Sequence, residues 1–164
     1  MRPLLLAAVL ASLAAPLAAQ RADPGTARSA TVVAGLGNSM GWLGLQGEKY
    51  LRNDRVSLFG GIGYTPEIDW GDATGVTVAA GVRGYTPGVR HRGFLELSVS
   101  QIEIDSRCFD DCRRYYGPGV QVGYQYAART GFTVSLSGGV GYAPNGSGDA
   151  AGLLGLGIGY TWRR

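Results

Sequence analysis

Charge is scarce in this chain: 16% of its 164 residues are Asp, Glu, Lys or Arg, and Lys49 is the sole lysine. Soluble surfaces are commonly about 25 to 35% charged, so a conventional water-exposed domain fits poorly. The absence of lysine clusters, with an N-terminus that reads as an export signal, argues against a nucleic-acid partner despite the formal net charge of +3. Histidine occurs once, as His91, and cysteine twice, as Cys108 and Cys112. One imidazole and two neighbouring thiols do not supply a usual metal ligand set, and no cofactor is expected. A sustained helical period is also missing beyond the first twenty residues.

The one long apolar run, residues 4 to 13, follows Arg2 and gives way to small residues at Ala14, Ala15, Ala18 and Ala19. That pattern is a secretory signal peptide, and the run is shorter than the roughly 20 residues of a membrane-spanning helix. We read residues 1 to 20 as the signal, 21 to 28 as a short N-terminal segment and 29 to 164 as one folded domain.

What the chain has in abundance is glycine, 28 residues, and tyrosine, 9 residues, set in period-two alternation. Phe132, Val134, Leu136, Val140 and Tyr142 share one face, while Thr133, Ser135, Ser137, Gly139 and Gly141 share the other. Val120, Val122, Tyr124 and Tyr126 oppose Gln121, Gly123 and Gln125 in the same way. Leu154, Leu156, Ile158, Tyr160 and Trp162 oppose Gly155, Gly157, Gly159 and Thr161. The same reading predicts eight strands, at about residues 29–38, 42–51, 55–65, 74–86, 92–104, 116–128, 131–143 and 151–162. A Gly-X-Gly-Tyr echo at Tyr64, Tyr142 and Tyr160, with a shorter copy at Tyr85, sits at strand ends, where a tyrosine ring can occupy a membrane interface.

The composition of the second face decides what the first one meets. A soluble barrel turns charged side chains to water, yet here that face is Gly, Ser, Thr and Gln, which suit the crowded interior of an eight-stranded barrel. Val76, Val78, Ala80, Val82, Leu95, Leu97 and Val99 are then expected to face lipid, with every backbone group paired in a closed sheet. The fold predicted is an all-β, eight-stranded, antiparallel up-and-down transmembrane β-barrel. Arg83 and Glu96 are rare charges in strand interiors, and a turn centred between Val89 and Arg90 sets them opposite each other. Glu48, between Gln46 and Tyr50, is placed to join them in a lumen network, since an unpaired charge in a closed interior is costly. The alternative is a register shifted by two, with these residues meeting solvent.

The two barrel ends differ in sign. Arg52, Arg55, Arg90, Arg92, Arg129, Arg163 and Arg164 accompany the short turns and the C-terminus, against Asp54 alone. The longer connections hold Glu67, Asp69, Asp72, Asp105, Asp110, Asp111 and Asp149 against Arg107, Arg113 and Arg114. The connection 39–41 is short and breaks this alternation. An even strand number puts both termini at the end of the short basic turns, assigned to the periplasm. In the longest loop, Cys108 and Cys112 can close a disulfide around Phe109, Asp110 and Asp111, against reduced or intermolecular thiols. Arg107, Arg113, Arg114, Tyr115 and Tyr116 flank that knob as a candidate surface for lipopolysaccharide phosphates or an extracellular protein, against a loop with no partner.

Residues 29 to 164 resemble the small outer-membrane barrels of the OmpA/OmpX type. The most specific feature is the last strand, Gly157-Ile-Gly-Tyr160-Thr-Trp162, which looks like the terminal glycine and aromatics by which that class is recognised for insertion. Here Arg163 and Arg164 follow the final aromatic, where the family usually ends on it. The resemblance implies outer-membrane lipid and the barrel-assembly machinery as partners, and it speaks for location far more than for any one activity. Enzymatic members of this architecture use a His-Ser pair, and His91 lies between Arg90 and Arg92 with no serine nucleophile beside it. The expected role is therefore structural or surface-interacting and non-enzymatic. The alternatives are a narrow channel for ions or small solutes, or a soluble periplasmic barrel that binds an apolar ligand.

Overall fold

A computed structural model describes residues 27–51, 54–65, 75–104, 114–146, 148 and 150–164. Eight strands follow in chain order: β1 (Arg28–Gly37), β2 (Trp42–Tyr50), β3 (Val56–Thr65), β4 (Gly75–Tyr85), β5 (His91–Ile104), β6 (Arg114–Ala127), β7 (Phe132–Tyr142) and β8 (Ala150–Arg163). Each strand pairs antiparallel with its sequence neighbours, and β1 pairs with β8, closing an up-and-down barrel without a free edge. All eight strands begin and end within two residues of their expected bounds. The expected signal peptide, residues 1 to 20, and the cysteine pair lie outside the described residues.

The alternation becomes inside and outside. On β7, Thr133, Ser135 and Ser137 are buried while Phe132, Leu136, Val140 and Tyr142 are exposed. Side chains two apart share a face, so each strand commits its whole apolar set outward and its small or polar set inward. The usual arrangement of a soluble domain is thereby inverted. Buried side chains are mostly polar, and the exposed ones on the strands are mostly large and apolar.

Two expectations change at the wall. Tyr85 does not share the outward position of Tyr64, Tyr142 and Tyr160 but is 3% exposed, because it stands two residues from inward-facing Arg83. Arg92 and Asp54, counted among the turn charges, are also buried, paired at 2.8 Å.

The connection between β1 and β2 holds the main departure. It forms a short 3-10 turn, Asn38–Met40, with Ser39 and Met40 buried, so it folds into the barrel and plugs the lumen from the end opposite the chain termini. Gly41 at φ 66° and Trp42 at φ 69° reverse the chain back into β2. A side chain at Gly61 would strike the Ser39 carbonyl, and one at Gly44 or Gly63 would strike that of Met40. Inward glycines on β2 and β3 thus supply the floor on which the turn rests.

Candidate functional site

Buried side chains occupy the lumen at several levels. At the end of the short turns, Asp54 sits between two arginines: Arg92 donates to its carboxylate and, through Nη1, to its carbonyl at 2.9 Å, while the Arg28 backbone N–H donates to Oδ2 at 3.3 Å. Asp54 reaches this position from φ 50°, a left-handed conformation that Asp tolerates better than most residues. The Arg28 guanidinium donates to Gln125 and to the Val89 carbonyl.

One level further in, Arg83 pairs with Glu96 at 2.6 Å and with Glu48 at 3.6 Å. The register puts Arg83 directly opposite Glu96 across β4 and β5. Glu48 also accepts from Ser57, Tyr85 and Tyr50, so its carboxylate is met from β2, β3 and β4. The Arg83 guanidinium lies 4.8 Å from the Phe59 ring centre and 4.6 Å from that of Phe94. Tyr85 packs between Tyr50 and Phe94, with ring centres 5.5 and 5.6 Å away.

Among the described residues, three buried arginines, Arg28, Arg83 and Arg92, face three buried carboxylates, Glu48, Asp54 and Glu96. Within that set the charges balance, which is the condition for burying ions without a large desolvation cost.

The inserted turn joins this network. Ser39 donates to Glu96 at 3.0 Å, and Gln121 donates to Glu96 at 2.9 Å and to the Ser39 hydroxyl at 3.2 Å. Asn38 donates to the Gln101 carbonyl at 3.0 Å. Beyond the turn, Ile102, Ala143 and Leu153 form a small apolar cluster with Tyr115 and Ala151 packed against it.

The outer face has three zones. Trp42, Tyr64, Tyr116 and Tyr142 are exposed at the end bearing the inserted turn, and Tyr124, Phe132, Tyr160 and Trp162 at the other. Between these rings the described outward side chains are Val, Leu, Ile, Ala and Gly with Pro118, without a charge. Phe132 and Tyr142 stand ten residues apart on β7, which at about 3.4 Å per residue and a tilt near 40° separates them by roughly 25 Å along the axis. Lys49 is paired with Ala30, as is Trp162, so the sole lysine sits at the level of the second aromatic ring.

The other expected site residues are dispersed. Gly157 faces the lumen near Val33 and Met40, while Tyr160 and Trp162 point outward with their rings edge to face at 5.1 Å. Arg114, Tyr115 and Tyr116 are strand residues of β6; Arg114 donates to the Val76 carbonyl at 2.7 Å, Tyr115 packs inward and Tyr116 joins the outer ring. Arg107, Arg113, Cys108 and Cys112 lie outside the described residues. His91 is exposed on the outer face, with Nδ1 against the Tyr124 hydroxyl.

Sequence reasoning missed the inserted turn, the burial of Asp54 and Arg92, and the place of Arg28 in the lumen. A signal for the first was present: inward glycines at Gly44, Gly61 and Gly63 on two adjacent strands are what a close backbone approach requires. Comparison with family models, curated proteins and solved structures finds no significant match to this chain.

Proposed function

We propose that this chain is an outer-membrane β-barrel with a closed lumen and a structural or surface-interaction role, and that it performs no enzymatic reaction. The observation that carries the reading is the outer face: an uncharged aliphatic band bounded by two aromatic rings roughly 25 Å apart, the height of the apolar belt of a bilayer-spanning barrel. In water such a surface would be an aggregation hazard far larger than the patches monomeric domains tolerate. In lipid it is the favourable arrangement, and the closed ladder leaves no strand edge to be solvated.

The interior supports the closed state. Arg28, Asp54 and Arg92 obstruct one end, the Arg83 network spans the middle, and Ser39 and Met40 fill the space beyond. Both termini of the barrel leave at the end of the short turns, the periplasmic end in this topology. Lipid, lipopolysaccharide and the barrel-assembly machinery are then its partners, with an extracellular protein as the candidate for the opposite loops.

The test is gel migration of the protein from an outer-membrane fraction, with and without boiling, combined with conductance in planar bilayers. A band that shifts on boiling, with no conductance steps, is expected. A single mobility in a soluble fraction overturns the membrane reading, and steady conductance overturns the closed lumen. Adding reductant to the same gel reads whether Cys108 and Cys112 are bridged, reduced or joined between molecules.

A further inference from the structure

The end that carries the termini has spent its acid. Asp54 is the sole acidic side chain among the described residues there, and it is buried against the Arg28 backbone N–H and the Arg92 guanidinium. What remains outside is basic, and the fold gathers it. The Arg163 guanidinium reaches under the turn between β6 and β7 and donates to the carbonyls of Ala127 and Ala128 at 3.1 and 3.0 Å. Arg129 follows in that turn and is exposed. The Ala127 N–H donates to the Arg90 carbonyl at 2.8 Å, which brings the neighbouring turn alongside. The backbone of the Arg90 and Arg129 turns and the guanidinium of Arg163 are thus brought together from three separate parts of the chain, and Arg163, partly desolvated, lies in the field of Arg28, Arg90 and Arg92. Its buried Nε has no hydrogen-bond partner.

Like charges held together are stable where an anion neutralises them. Beside the cluster, on the outer wall, the His91 ring packs at a tilt of 43° against Tyr126 with centres 5.0 Å apart, and its Nδ1 meets the Tyr124 hydroxyl. This shelf lies in the ring of aromatics that marks the boundary between apolar band and water. Guanidinium groups bind phosphate oxygens through paired N–H donors, and a phosphodiester at that boundary belongs to a lipid headgroup.

We propose that Arg90, Arg129 and Arg163, with the His91–Tyr126 shelf, form a headgroup site for anionic phospholipid in the leaflet next to the chain termini. The proposal rests on the membrane reading above.

The experiment uses the full chain carrying Trp42→Phe and Trp70→Phe, so that Trp162, at the same end, is the only indole. It is folded into vesicles of phosphatidylcholine and phosphatidylglycerol in equal parts, with one lipid or the other brominated. The band that shifts on boiling verifies folding, and the ratio of quenching by the two brominated lipids reads the selectivity. We expect phosphatidylglycerol to be favoured about threefold or more, and the ratio to fall to about one in R90Q/R129Q or when the parent is placed in high salt. A ratio near one in the folded parent overturns the site and leaves the barrel standing. So does a preference that persists both in the folded double variant and in high salt. Failure to fold into either vesicle overturns the barrel and the site with it. If the double variant alone does not fold, the salt dependence of the parent decides.

Discussion

The Ser39 hydroxyl donates to a carboxylate oxygen of Glu96 at 3.0 Å, although the two residues are 57 positions apart and Ser39 belongs to a turn joining two other strands. That bond ties the inserted turn to the charge pair at the middle of the barrel. The same carboxylate accepts from Gln121 and pairs with Arg83, so turn, wall and ion pair share one group. Hydrogen bonds to a charged acceptor contribute about 1.5 to 3 kcal/mol each, enough for the turn to be a fixed part of the native state.

Glu96→Gln removes one of the two countercharges of Arg83 and leaves a buried guanidinium poorly compensated. Breaking a buried pair from one side costs about 3 to 5 kcal/mol; Glu48 remains at 3.6 Å and should hold the loss to the lower part of that range. The measurement is the urea midpoint of the folded band in lipid vesicles. In an Arg83→Met background the same substitution should cost much less, and equal costs in the two backgrounds argue against coupling.

The position of the inserted turn can be read by thiol labelling. With Cys108 and Cys112 replaced by serine, Ser39→Cys should be protected from a water-soluble maleimide in the folded barrel, since residue 39 is 2% exposed. Adding Gly61→Val should expose it, because the new side chain would occupy the place of the Ser39 carbonyl. Rapid labelling without the valine would show that the turn does not reside in the lumen.

Asp54→Asn leaves the buried guanidinium of Arg92 without its carboxylate partner. The expected destabilisation is about 2 to 4 kcal/mol. Arg90→Gln, on the exposed rim of the same end, should stay within about 0.5 kcal/mol. Unfolding midpoints of the two variants in vesicles of phosphatidylcholine alone, where no anionic headgroup engages Arg90, check the difference between a buried and a rim charge.

Leu136→Arg tests what the outer wall touches. Leu136 is 58% exposed, four residues from Phe132 and six from Tyr142 on β7, and a change to arginine at an exposed site in water should cost less than about 0.5 kcal/mol. In the centre of a bilayer the same change costs about 2 to 4 kcal/mol. A large loss in vesicle stability supports the membrane reading, and a neutral result counts against it.

The number of strands, their bounds and the face each residue occupies were legible in the sequence, because side-chain alternation is local and each strand of a closed sheet repeats it. The pairing of Arg83 with Glu96 followed from the same parity, since a short turn between adjacent strands fixes which residues stand opposite. Tyr85 shows where motif similarity misleads: it shares the echo of the other tyrosines, yet its parity with Arg83 sends it inward to Glu48.

What tertiary structure alone decided is the direction of the connections. A three-residue turn can rise above the rim or fold beneath it, and alternation within a strand says nothing about which. The choice depends on empty volume that exists only once eight strands have closed, and on glycines of strands β2 and β3 that the turn meets only then. Asp54 is buried for the same reason: its partners, the backbone N–H of Arg28 and the guanidinium of Arg92, come from strands β1 and β5 and meet it only in the closed barrel. Local periodicity therefore determined the wall, and closure of the ring decided what fills it.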